Sequence, residues 1–167
     1  MYLYKVWFHV WCIIKKLWLN IYFGKNIKFG KKVTWRRRFK VWIEGGRVII
    51  GDNCFFNNDC SINSKDKITI GSGCIFGESV KLYDHNHIYS LKNELLKTQG
   101  YDCEEIIIGN NCWICSNVII LKGARIGNNC VIGAGAIIRG TISSDTVVYP
   151  DTKLVKKEND AVCEDAG

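Results

Sequence analysis

The chain is poor in proline, methionine and histidine, with one, one and three of them among 167 residues. The single proline, Pro150, excludes a proline-rich linker, and no break in composition divides the chain in two. Acidic side chains are scarce: 16 stand against 23 Lys and Arg, for a formal charge of +7. That balance suits an acidic partner, such as a phosphorylated cofactor, a nucleic acid or an anionic membrane surface. A membrane-spanning run is missing as well. The apolar N-terminus MYLYKVWFHVWCIIKKLWLNIYF is interrupted by Lys5, His9, Lys15 and Lys16, short of the run of about 18 apolar residues that a span needs. It also lacks the order of charges and small residues that marks a signal peptide.

What the N-terminus does hold is a helical pattern. Leu3, Trp7, Val10, Ile14, Leu17 and Ile21 recur at helical spacing and predict an amphipathic helix over residues 1–24. Its Trp-rich face suits packing on its own domain, on a neighbouring subunit, or on an anionic membrane.

Most of the remaining chain is a repeat of six. IGDNCF, FNNDCS and INSKDK begin at residues 50, 56 and 62, and IGSGCI, FGESVK and LYDHNH at 70, 76 and 82. The run from IGNNCW at 108 to IRGTIS at 138 adds six more. Glycine often follows the leading aliphatic, as at Gly51, Gly71, Gly77, Gly109, Gly127 and Gly133, and is expected at turns that need positive φ. The fifth place reads Cys54, Cys60, Cys74, Val80, Cys112, Val118, Ala124, Cys130 and Ala136. Five of the nine cysteines thus share one phase with Val and Ala, as interior small hydrophobes do. Cys112 and Cys115 have no zinc-like partner pair. Free interior thiols point to a reducing compartment, the cytoplasm. Residues 88–107 fit no hexad and are expected to form a loop over a site. The acidic tail 158–167 lacks periodicity and is expected to be poorly ordered.

This pattern resembles the hexapeptide-repeat acyltransferases. The resemblance implies an all-β fold: a left-handed parallel β-helix of triangular coils over 25–157, with an N-terminal helix and one extruded loop. Each residue then stacks on the one 18 positions earlier. Over residues 51–150 the likeness is to one branch, which holds galactoside and maltose, streptogramin and chloramphenicol, and capsule and lipopolysaccharide acetyltransferases. It is densest in YDHNH (83–87), QGY (99–101), IGNNCWI (108–114) and ILKGARIGNNCVIGAGAII (120–138).

The resemblance implies acetyl-CoA as co-substrate and places the branch's general-base histidine at His87, with His85 a helper or a bystander and Asp84, Glu94 and His85 the candidates for orienting it. Imidazole exchanges its proton near neutral pH, as deprotonating a sugar hydroxyl requires. An oxyanion-binding N–H is sought in the turn around Cys115 and Ser116. By position Trp113, Ser116, Ala134 and Arg139 line the acetyl-CoA groove, and Lys153 and Lys156 meet the nucleotide phosphates. The latter two follow VVYPDT, which departs from the branch's Gly-x-Pro-Ala. Asn57, Tyr83 and Lys65 fall at acceptor positions. Lys65 replaces an acidic contact, and a lysine cannot accept hydrogen bonds from sugar hydroxyls, so a simple galactoside or maltose is disfavoured.

The expected function is acetyl transfer to a surface polysaccharide or its lipid-linked repeat unit. It would act as a homotrimer with sites between subunits, in the cytoplasm or at the inner face of its membrane. No metal and no nucleic acid are expected. Three alternatives stay open: antibiotic acetylation, a carbonic-anhydrase-like hydratase using Asp84, His85 and His87 as ligands, and a non-catalytic β-helix scaffold. The run WRRRFK (35–40) adds positive charge in an early coil and suits an anionic polysaccharide or a lipid pyrophosphate.

Overall fold

The computed structural model describes residues 2–91 and 94–150. Lys153, Lys156 and the tail 158–167 lie outside the described residues. Helix α1 (Tyr2–Phe23) precedes a coil that winds through three faces in turn. The first coil is β1 (Ile27–Phe29), β2 (Thr34–Trp35) and β3 (Lys40–Ile43). The second is β4 (Arg47–Ile50), β5 (Phe55–Phe56) and β6 (Ser61–Ser64). The third is β7 (Lys67–Ile70), β8 (Ile75–Phe76) and β9 (Lys81–Tyr83). The chain then leaves the coil through β10 (His85–His87) and returns through β11 (Tyr101–Cys103). Two further coils follow: β12 (Ile106–Ile108), β13 (Trp113–Ile114) and β14 (Ile119–Leu121), then β15 (Arg125–Ile126), β16 (Val131–Ile132) and β17 (Ile137–Ile138). β18 (Thr141–Ile142) and β19 (Val147–Val148) end the description.

Strands of successive coils pair in parallel into three sheets, β1-β4-β7-β12-β15-β18, β2-β5-β8-β13-β16-β19 and β3-β6-β9-β14-β17. This is the expected left-handed parallel β-helix. The stacking interval varies along it. Thr34 pairs with Phe55, 21 residues on, and Phe55 with Ile75, 20 on. Trp113 pairs with Val131 at the expected 18, and Val131 with Val147 at 16. The excursion adds 20 residues to one coil, since Ile75 pairs with Trp113 at an interval of 38. It closes sooner than the sequence suggests, because Ile106–Ile108 already lie against Ile68–Ile70.

The leading aliphatics fill the interior, with Ile50, Ile62, Ile70, Ile108, Ile114, Ile120 and Ile132 all buried. An aromatic ladder runs up the early coils: Phe39 lies 4.8 Å from Phe56 and Phe56 stacks 4.4 Å from Phe76. The five in-phase cysteines are buried as expected. Each thiol also donates to the carbonyl of the next coil, as Cys60 does to Gly77 O at 3.0 Å and Cys112 to Gly127 O at 3.1 Å. Cysteine therefore supplies a weak donor as well as a small apolar body.

The glycines have a different reason from the one expected. Gly51, Gly71, Gly77, Gly109, Gly127 and Gly133 are not among the residues with positive φ. They are glycine because coils approach too closely for a side chain: a Cβ on Gly77 would lie 2.5 Å from Ser116 N, and one on Gly109 2.6 Å from the Gly127 carbonyl carbon. The left-handed turn positions fall two residues later, on Asn53, Asn111 and Asn129 among others, with φ of 55–56°.

Helix α1 packs against β1 and β2, but with its faces reversed. Cys12 and Leu19 are buried against the coil, whereas Trp7, Ile14, Leu17 and Ile21 are exposed. The lysines face inward: Lys16 Nζ donates to Gly30 O at 2.6 Å, and Lys15 Nζ to Phe39 O. The first coil has no coil beneath it, so its carbonyls lack strand partners and the ammonium groups supply donors. Burial lowers the pKa of both lysines.

Candidate active site

The histidines stand where the coil is interrupted, at the end of the third sheet. Strand β10 pairs with β11 in antiparallel register, His85 with Cys103 and His87 with Tyr101. His85 and His87 are two residues apart on one strand and so share a face. Both meet Tyr101, His85 edge-on at 5.4 Å and His87 at 4.5 Å between ring centroids. The loop's contribution to this site is therefore its returning strand.

Asp84 anchors the pair. Its carboxylate is completely buried and accepts from Ser64 Oγ at 2.7 Å, Lys65 N at 2.8 Å and Asp66 N at 3.0 Å. His85 Nδ1 lies 2.9 Å from its Oδ1. A carboxylate so held fixes the ring beside it and offsets much of its own desolvation through charge-assisted bonds. His87, by contrast, is exposed.

A pocket of about 200 Å³ brings His85, His87, Tyr83, Lys65 and Tyr101 together with Trp42 and Glu44. Lys65 Nζ is 3.8 Å from the centre of the Tyr101 ring and is ion-paired with Glu44. Each raises or lowers the other in the expected sense: Lys65 holds Glu44 below its ordinary carboxyl range, and Glu44 raises Lys65. Trp42 Nε1 donates to Glu44 at 2.7 Å. Sequence reasoning missed Trp42, Glu44, Ser64 and Tyr101. Intervals of 21 and then 20 would have placed Glu44 beside Lys65 and Lys65 beside His85.

Asn57 is not in this pocket. It sits in an earlier corner, where its Oδ1 accepts from Asn58 N at 2.9 Å and from Arg36 at 3.4 Å. Within the run 35–40, Arg36 reaches Asn57 and Arg38 is forked onto Asp59. Trp113 is half exposed on β13, in the second sheet, away from the histidine corner of the same chain. Ser116 and Ala134 stack at the next corner, where Gly135 N donates to Ser116 O at 3.0 Å. Arg139 is exposed just after β17, at the end of the same sheet as Tyr83. The Cys115 N–H already donates to Ile132 O at 2.9 Å, so it is not free to bind an oxyanion. Among the described residues, no group of three or more His, Cys, Asp or Glu is placed to hold a metal ion.

Fold and repeat together define a hexapeptide-repeat left-handed β-helix protein. The profile of the bacterial transferase hexapeptide (six repeats) family matches residues 105–140. A putative lipopolysaccharide biosynthesis O-acetyl transferase of Escherichia coli is 29% identical over 143 residues, 80% of this chain and 73% of that protein. The galactoside O-acetyltransferase of the same organism is 34% identical over 127 residues, 71% of this chain and 62% of its own. A hexapeptide-repeat acetyltransferase of Vibrio cholerae, solved with acetyl-CoA, superposes with a TM-score of 0.62 at 28% identity, over 73% of this chain and 64% of that one. The chain belongs to the hexapeptide-repeat acyltransferase family, among relatives of the galactoside and lipopolysaccharide O-acetyltransferases. It spans less than two thirds of the galactoside enzyme and of the Vibrio structure.

Proposed function

We propose that the chain is an acetyl-CoA-dependent O-acetyltransferase acting on a sugar hydroxyl of a surface polysaccharide or its lipid-linked repeat unit. The observation that carries this is the histidine pair on one face of β10, anchored through Asp84 and open to solvent at His87. The family relatives named above supply the reaction type.

His87 acts as the general base. It takes the proton of the acceptor hydroxyl as that oxygen attacks the thioester carbonyl. The C–O bond forms, the C–S bond breaks, and the imidazolium returns its proton to the departing thiolate, giving free CoA and the acetyl ester. His85, oriented by Asp84, holds the strand and the ring beside it. Lys65 and Tyr83 contact the acceptor, with Glu44 as the hydrogen-bond acceptor that Lys65 cannot be.

Trp113, Ser116, Ala134 and Arg139 line the acetyl-CoA groove, with Lys153 and Lys156 toward its phosphates. Because Trp113 and the histidines lie on different faces of one chain, a complete site takes a second subunit, in keeping with a homotrimer. No helix among the described residues is long and apolar enough to cross a membrane. The outward stripe of Trp7, Trp11 and Ile14 suits peripheral contact at the inner face of the cytoplasmic membrane.

The test is CoA release from acetyl-CoA with de-O-acetylated polysaccharides, read by mass spectrometry for wild type and His87→Ala. Acceptor-dependent turnover that collapses in the variant supports the reading. Wild type that neither binds nor turns over acetyl-CoA removes it in favour of a scaffold.

A further inference from the structure

We infer that the outer face of the third sheet, between the histidine corner and helix α1, is a subsite for an acceptor glycan that ends in a phosphoryl or diphosphoryl ester. This rests on the acetyl-transfer reading and specifies its acceptor.

Side chains on this face form three rows. Register places Lys40, Ser61 and Lys81 side by side on β3, β6 and β9. Two residues further along, Trp42, Asn63 and Tyr83 are side by side. Two further still come Glu44, Lys65 and His85, which share the histidine pocket. Strands rise about 3.3 Å per residue, so the first two rows lie about 7 Å apart, and the third lies beyond the bend at Asp84, room for a short glycan.

The first two rows floor a cavity of about 700 Å³, roofed by Lys15, Trp18 and Tyr22 of helix α1. This is the size of an ordinary ligand site. It shares Trp42, Asn63 and Tyr83 with the histidine pocket, so the two adjoin.

Each row suits a different part of one ligand. Trp42, half exposed, and Tyr83 offer flat surfaces to the C–H faces of sugar rings, and Asn63 between them both donates and accepts. At the histidine end the charges cancel, since Lys65 is paired with Glu44. At the helix end they do not. Arg38 takes up Asp59, and among the described residues neither Lys40 nor Lys81 forms an ion pair. Those two ammonium groups, with Ser61 between them, sit on strands about 10 Å apart and can close on a phosphoryl or diphosphoryl group. The charge gradient thus orients the acceptor, anion toward helix α1 and hydroxyl toward the histidines.

The experiment compares each of several sugars as its methyl glycoside, its glycosyl 1-phosphate and its farnesyl-diphosphate-linked form. Acetyl transfer is read as KM and kcat, and binding of the glycosyl 1-phosphate is read separately by calorimetry. The phosphoryl group is expected to lower KM about tenfold against the methyl glycoside. In Lys40→Gln/Lys81→Gln that ratio falls to about one, and calorimetric binding is lost. Equal KM values in wild type, or a ratio kept in the double variant, overturn the inference. Further tightening by the farnesyl diphosphate assigns a lipid-linked acceptor, and its absence a water-soluble glycosyl phosphate. Lysine-dependent phosphate binding without acetyl transfer to any acceptor would sink the transferase reading and leave the subsite standing.

Discussion

Asp84 Oδ1 lies 2.9 Å from Nδ1 of His85, and the same carboxylate binds the backbone N–H groups of Lys65 and Asp66. One buried anion therefore ties the corner of the second coil to the ring beside the site. Its two duties separate on mutation. Asp84→Ala leaves buried donors without acceptors and is expected to cost about 3 kcal/mol, read by urea denaturation. Asp84→Asn keeps the volume and part of the bonding. It is expected to unfold within about 2 kcal/mol of wild type while losing much more of its turnover. Equal losses in both variants would make Asp84 a structural anchor alone.

The two histidines divide in the same way. His87→Ala is expected to lower kcat by about 10²–10⁴, the usual worth of general-base help, with little change in stability because the side chain is exposed. His85→Ala is expected to cost less turnover and more stability, since it frees a bond of the buried carboxylate. A larger kcat loss in His85→Ala than in His87→Ala would make His85 the base.

Close approach of coils makes the glycines a test of the fold. Gly77→Ala would put its Cβ 2.5 Å from backbone of the next coil and is expected to destabilise by about 1–3 kcal/mol. Asn111→Gly, at φ 55° with no such neighbour required, is expected to stay within about 1 kcal/mol of wild type. The order of the two midpoints in urea checks it.

The sequence carried the coil itself because its narrow interior demands a large apolar side chain at each hexad lead and a small residue at each corner, and Ile62, Phe76, Ile108, Cys54 and Ala136 obey. Four things were hidden. The early coils stack at 21 and 20 residues, so a strict interval of 18 carries Glu44 and Trp42 away from Tyr83 and His85. The role of Gly77 depends on a neighbour far along the chain, which no local turn rule contains. Helix α1 turns Lys15 and Lys16 inward because open carbonyls of the first coil outweigh the pull of its apolar stripe, a competition that periodicity alone does not weigh. Tyr101 reached the site only through the pairing of β10 with β11.

Stability should fall in acid through three carboxyls paired with cations at the surface. Lys65 lowers Glu44, Arg38 lowers Asp59, and Arg125 with Lys67 lowers Glu105. A carboxyl depressed in the folded state contributes stability that is present above its unfolded value and lost as pH falls through the folded one. The ordinary values are 4.5 for Glu and 3.8 for Asp, so urea midpoints are expected to hold from neutrality to about pH 4.5 and decline below it. High salt should flatten that decline, because the pairs lie at the surface. A midpoint that drops between pH 7 and 5 would point to other groups.

Thiol chemistry offers the last test, because the cysteines divide by position in the coil. Cys54, Cys60, Cys74, Cys112 and Cys130 are buried and point at carbonyls of the next coil, whereas Cys103 is exposed on β11. Burial pushes the Cys60 thiol up to about 11, whereas the hydrogen bond with Cys74 holds Cys112 down at about 6, so what protects all five alike is that burial keeps a reagent from reaching them. Brief alkylation of the folded protein at pH 8 is therefore expected to modify Cys103 and spare those five, with all of them reacting in denaturant. Peptide mapping by mass spectrometry reads the result. Rapid labelling of Cys60 or Cys130 in the folded protein would mean that the corners open, and the interior role of the cysteines would fail.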